Sequence, residues 1–237
     1  MLTNNYYTQE QGIDLSRNFA VLMRNVYIWM TLGLVMTAFT VLFVARTPSL
    51  LTAIVTNPAL LWGCLIAELA MVFILSARIM KMSFMTAGLL FAGYSILNGA
   101  TLSFLFMAYT MESIATTFFI TAGTFGAMSL VGFFIKKDLS TMGRALFMLL
   151  IGLIIATIVN MFVASSGLAM ILNYLGVAIF VGLTAYDTQK LKEMLFSYSA
   201  MGISDQTNKL ALLGSLTLYL DFVNLFIYLL RIFGDRK

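Results

Sequence analysis

The chain has 237 residues, 61% of them hydrophobic and 10% charged, with a mean hydropathy of +0.95. A soluble domain carries about 25% charged residues, so this chain cannot cover a water-facing surface, and it fits the class of polytopic membrane proteins. With no histidine and one cysteine, Cys64, histidine metal sites, a Ser-His triad, intrachain disulfides and cysteine clusters are excluded; the net charge of +4 calls for no nucleic acid.

Residues 1–24 form a polar N-terminal segment, its head (1–18) reading as loose, before a single transmembrane domain over 25–237. The apolar run that follows is too long for a signal-peptide core and has no small-residue cleavage pattern after it. Between Arg24 and Arg46 there are 21 residues without a charge, between Lys81 and Glu112 there are 30, and between Arg144 and Asp187 there are 42. A helix needs about 20 apolar residues to cross the hydrocarbon core. The longest run is therefore two helices, broken at the turn-like cluster Ser165-Ser166-Gly167. Seven spans are predicted, at 26–45, 58–77, 84–108, 114–135, 145–164, 170–189 and 210–231. The runs are continuous rather than alternating, which favours helices over a barrel. Small pairs such as Gly123/Ala127 and Ala178/Gly182 are expected to let helices approach closely, and Asn98 and Asn160 to bond between helices.

Orientation follows from lysine and arginine. With a cytoplasmic N-terminus, the inner side holds Arg17, Arg24, Arg78, Lys81, Lys136, Lys137, Arg144, Lys190, Lys192 and Lys209. The outer side holds Arg46, Arg231, Arg236 and Lys237. Ten against four supports N-in. The basic tail fits less well: seven complete spans place it outside, whereas a re-entrant last segment would place it inside. Residues 210–230 are long enough to cross, so seven spans are retained.

No part of the chain reads as a separate soluble domain, so function is sought among the helices. Intramembrane ionisable residues cost about 2.5–3.5 kcal/mol on insertion scales and mark pathways or sensors. Here they are Glu68, Arg78, Asp187 and Asp221. Asp221 lies about 16 Å into the seventh span, near the midplane. Gly214, Thr217, Asp221, Asn224 and Tyr228 recur at helical steps and form one polar stripe. Asp187 ends the sixth span, where it is either a plain interfacial residue paired with Lys190 or part of a site. Arg78 ends the second span at the same level, either snorkelling to headgroups or facing Asp187. Glu68 sits about 15 Å further towards the midplane than Arg78. The 20 phenylalanines and 17 methionines read as packing and lipid contact, not as a cofactor box.

The segments "GLTAYDTQKLK" (182–192) and "LYLDFVNLF" (218–226) resemble the paired aspartate signature of the Bax inhibitor-1 family, and "ELAMVFILSARIMKMS" (68–83) resembles its second span. The likeness covers essentially the whole chain, which looks like a bacterial member of the inner membrane. It implies an all-α integral membrane protein of seven transmembrane helices, the last central and surrounded by six. It implies a pH-sensitive calcium leak, with Asp187 and Asp221 as a hydrogen-bonded pH sensor and calcium-contacting pair. Arg78 matches the latch, and Glu68 an acidic position on the ion path, to which Asn224 is added from the stripe. The stretch "KEMLFSYSAMGISDQTNKL" departs from the pattern by making a long connection between spans six and seven.

The physics of such a pair fits. Two carboxylates held close in a low dielectric cannot both ionise at low cost, so they share a proton and titrate together. This supplies proton sensing without histidine. Calcium takes 6–8 oxygen ligands, and a path with two or three carboxylates passes it without holding it tightly. Calcium is then the transported ion, no cofactor is expected, and the partner is the lipid bilayer around a monomer.

Two other classes compete. Intramembrane aspartyl proteases also pair two aspartates, but they carry Gly-x-Gly-Asp and a later Pro-Ala-Leu; here Asp221 follows Leu218-Tyr219-Leu220, and both prolines, Pro48 and Pro58, are upstream. The chain is therefore not expected to be an enzyme. The alternative is a membrane modulator that restrains a membrane-anchored quality-control protease, with residues 1–18 as its handle.

Overall fold

The computed structural model describes the backbone of residues 2–237 and the side chains of these residues except 2–13 and 55. Helices form almost all of it: α1 (Leu2–Ala45), α2 (Pro48–Thr56), α3 (Pro58–Arg78) with a 3-10 turn at Ile79–Lys81, α4 (Phe84–Leu102), α5 (Leu105–Ala108), α6 (Met111–Phe134), α7 (Ser140–Val163), α8 (Ser166–Ser199) and α9 (Asp205–Phe233). Seven stretches are long and apolar enough to cross a membrane, and they coincide with the seven expected spans.

The boundaries follow local chemistry. Pro48 and Pro58 open α2 and α3, where a missing N–H is tolerated. Asn57 caps α3 by accepting from the Ala59 and Leu60 amides, and Ser83 and Thr110 cap α4 and α6 in the same way. The break inside the longest run falls where expected: α7 stops at Val163, Ala164 adopts a left-handed conformation with φ 52°, and α8 begins at Ser166. Asn160 serves this turn, accepting from the Ser165 amide, rather than bonding across helices as expected.

Two expectations are corrected and one lies outside the described side chains. The helical backbone of α1 runs from Leu2, and the looseness expected of residues 1–18 falls largely outside the described side chains. Their role as a handle lies partly outside them too. The sixth-to-seventh connection is not long, because α8 continues to Ser199 and α9 starts at Asp205. Leu191, Leu195 and Ser199 are buried at four-residue spacing, so this charged stretch still has a packing face. Third, Gly123 faces open space, so the Gly123/Ala127 pair makes no close contact there.

The chain forms two compact units, residues 1–105 with 191–219, and residues 106–190 with 220–237. In the first, α1 packs along α4, and a β-carbon on Gly99 would strike the Thr37 backbone. The far end of α8 lies along α1: Asn18 Nδ2 donates to Ser199 O at 3.2 Å, and Phe19 meets Phe196 edge-on at 5.7 Å. Ser215 of α9 donates to Val26 O at 2.8 Å.

In the second unit α8 meets α6, α7 and α9. Gly132 of α6 abuts the Ala185 carbonyl, Gly143 of α7 abuts the Tyr186 ring, and Tyr228 of α9 stacks on Phe180 at 5.8 Å over Gly176. Phe222 of α9 packs against Phe118 and Phe125 of α6, each at 5.5 Å. Residues after α9 pair with the junction before α6: Thr110 N–H donates to Asp235 O, Lys237 N–H to Ala108 O, and Lys237 Nζ to Phe106 O. The end of the seventh span and the junction between the third and fourth therefore lie together.

Burial separates the spans. In its most apolar stretch α9 is 67% buried, against 6% for the spans of α3 and α7.

Candidate functional site

α8 and α9 bring the Asp187 and Asp221 carboxyl groups close enough in the second unit to influence one another electrostatically. Asp221 is 4% exposed, and its Oδ2 is buried without a hydrogen-bond partner. Such an atom is rare in a folded protein and calls for a functional account. Asp187 is half-buried. Lys190, one turn on, is exposed and sits over the Tyr186 ring at 5.8 Å.

The residues after Asp187 anchor its helix. Beside it, the Thr188 hydroxyl donates to Thr184 O and approaches Ser129 Oγ of α6 at 3.4 Å. Gln189 is buried and reads the backbone between α6 and α7: its Oε1 accepts from Leu139 N–H at 2.8 Å, and its Nε2 donates to Lys137 O at 2.9 Å. Gln189 was not singled out from the sequence. Glutamine beside a lysine at a predicted helix end reads as solvated, and only the fold supplies its partners.

Asn224 does not bond to the pair. It is half-buried and donates to Leu220 O of its own helix at 2.8 Å. Among the described residues, no three His, Cys, Asp or Glu side chains converge as a metal cage.

The other two predicted residues belong to the first unit. Arg78 ends α3 with its side chain exposed; the ion pair found among the described residues is Lys209–Asp205, at 2.7 Å. Glu68 is buried on α3 and receives two donors from α4, Asn98 Nδ2 at 3.1 Å and Thr101 Oγ1 at 2.6 Å. Asn98 is an interhelical contact, as expected, and its Oδ1 also accepts from the Tyr219 hydroxyl of α9 at 3.0 Å. That hydroxyl lies 2.6 Å from Thr37 Oγ1 of α1. The result is one polar chain through four helices. Tyr219, Thr101 and Thr37 were not anticipated, since nothing in an apolar helix distinguishes a networked hydroxyl from one bonded to its own turn.

Comparison with known proteins identifies the family. A family model described as "Inhibitor of apoptosis-promoting Bax1" matches residues 20–237. The Inner membrane protein YbhL of Escherichia coli strain K12 is 50% identical over 215 residues, covering 91% of this chain and 92% of that protein. An uncharacterised protein of Deinococcus radiodurans is 42% identical, covering 97% and 95%. An uncharacterised membrane protein of Streptococcus pyogenes serotype M1 is 36% identical, covering 96% of each.

Proposed function

We propose a transport function for this chain, which belongs to the Bax inhibitor-1 family: a pH-sensitive calcium leak of the bacterial inner membrane. The observation that carries this reading is the buried, unpartnered Asp221 carboxyl oxygen of α9, with Asp187 of α8 as its electrostatic neighbour. With one proton shared, the pair ties the two helices together. When the proton leaves, two negative charges stand side by side. At an effective dielectric of about 20, unit charges ~4 Å apart repel by about 4 kcal/mol, enough to bias a packed interface. The opened pair offers hard oxygens that suit a passing calcium ion, with water and carbonyls completing its shell. Too few carboxylates gather there for a resident ion, which favours passage over storage.

In this reading Arg78 is the latch released as the network reorganises, and Glu68 and Asn224 border the ion path. The lysine and arginine count supports a cytoplasmic N-terminus. The 67% burial of α9 supports its role as the central helix.

The test is calcium flux into dye-loaded proteoliposomes between about pH 6 and about pH 8, for wild type and Asp221→Asn. The expected outcome is wild-type flux that rises with pH and variant flux that does not respond to it. Calcium-tight vesicles at every pH, with folded protein present, would sink the leak.

A further inference from the structure

Glu68 sits 9% exposed inside the first unit and makes no ion pair among the described residues. Among the described residues, the phenols of Tyr94 on α4 and Tyr219 on α9 are its titratable neighbours, Tyr219 sharing Asn98 with it. α2, which packs beside α3, contains no titratable residue. A buried carboxylate with no cation is costly unless it is well bonded or takes up a proton. The surroundings of Glu68 satisfy both forms.

Thr101 makes this possible. Its hydroxyl carries one hydrogen and has two acceptors in reach, Glu68 Oε1 at 2.6 Å and Asn98 O at 3.0 Å. When Glu68 is ionised, the hydroxyl donates to Oε1. When Oε1 is protonated, that proton is donated to Thr101 Oγ1, and the Thr101 hydrogen turns to Asn98 O. Oε2 keeps the Asn98 amide in both states, because the Tyr219 hydroxyl on Asn98 Oδ1 fixes which way the amide faces. One proton is exchanged with water, and only a hydroxyl rotates.

We propose that Glu68 is a proton-binding site in its own right, with Thr101 as the rotating hydroxyl that satisfies the carboxyl with and without its proton. The site rests on neither the aspartate pair nor calcium flux.

Infrared spectroscopy of the bilayer-reconstituted protein, with glutamate side chains isotope-labelled, tests it between about pH 4 and about pH 9. Glu112 and Glu193 are exposed, so their bands lie at the solvated position and a buried band stands apart. The expected result is a buried protonated-carboxyl band that grows on acidification. It is lost in Glu68→Gln and persists when Asp187 and Asp221 are both changed to Asn. Thr101→Val moves it to higher frequency, and Thr101→Ser restores it. No buried band at any pH, a band that survives Glu68→Gln, or one that Thr101→Val leaves unmoved overturns the proposal. Should Thr101→Val not fold, the labelled wild type and Glu68→Gln decide by themselves.

Discussion

Gly132 of α6 rests directly on the main-chain carbonyl of Ala185, two residues before Asp187, with no side chain between the helices. The proposed sensor is thus mounted on a backbone-to-backbone contact. Gly132→Val is expected to destabilise the protein by about 1–3 kcal/mol or more, because backbone cannot yield as a side-chain tip can. Gly123→Val on the same helix enters open space and is expected to stay within about 0.5 kcal/mol. Thermal unfolding of the two variants in one detergent checks the contrast.

Gln189 ties α8 to the 137–139 backbone with one donor and one acceptor. Gln189→Ala leaves the buried Leu139 amide without a partner, a loss of about 1–3 kcal/mol. Gln189→Glu keeps the acceptor for Leu139 but loses the donor to Lys137. Amide hydrogen exchange at Leu139 should speed up strongly in the alanine variant and much less in the glutamate variant.

Tyr219→Phe removes one oxygen from the first unit's polar chain. The ring contacts with Phe91 at 5.8 Å and Tyr94 at 5.6 Å remain, so the loss is polar alone. Asn98 Oδ1 and Thr37 are each left one partner short, and a cost of about 1–3 kcal/mol is expected. Combining Tyr219→Phe with Asn98→Ala should cost less than the sum of the two singles, since they share one bond. A double-mutant unfolding cycle measures that coupling.

Outside the spans, Asp138 accepts from the Ser140 amide at 2.8 Å at the start of α7. Bonds from Ser140, helped by nearby Arg144, hold its carboxyl below the ordinary aspartate value. A lowered native value means the stabilisation is present above the unfolded value, about 3.9, and fades as pH falls through the lower native one. Asp138→Asn should therefore match wild type in its pH dependence down to about pH 4 and lack the small further loss below it. Stability scans of the two proteins in acid make the comparison.

Much of this was legible before the fold was known. Charge-free runs located seven spans, and Ser165-Ser166-Gly167 marked the break between two of them. Asp187 and Asp221 stood out because carboxylates in oil are costly. What stayed hidden has physical reasons. A lysine marks where a membrane span ends and not where a helix ends, so α8 runs on past Lys190 and Lys192 to Ser199. The nine-residue α2 lies between the first two expected spans and is too short to register in a search for crossings; Pro48 and Pro58 each sit where they start a helix rather than break one. Gln189 and Tyr219 draw their roles from partners at least 50 residues away in sequence, and no local pattern carries that information.

The overhang of α8 has a practical consequence. Its 34 residues span about 51 Å, against about 30 Å of hydrocarbon core. Some 20 Å must stand clear of the lipid tails, and the turn to α9, where Gly202 has φ 71°, is at that end. A single cysteine placed at Gly202, in a Cys64→Ser background, would meet a membrane-impermeant maleimide from one side only. Right-side-out and inverted vesicles would then report the sidedness of the whole chain from one residue.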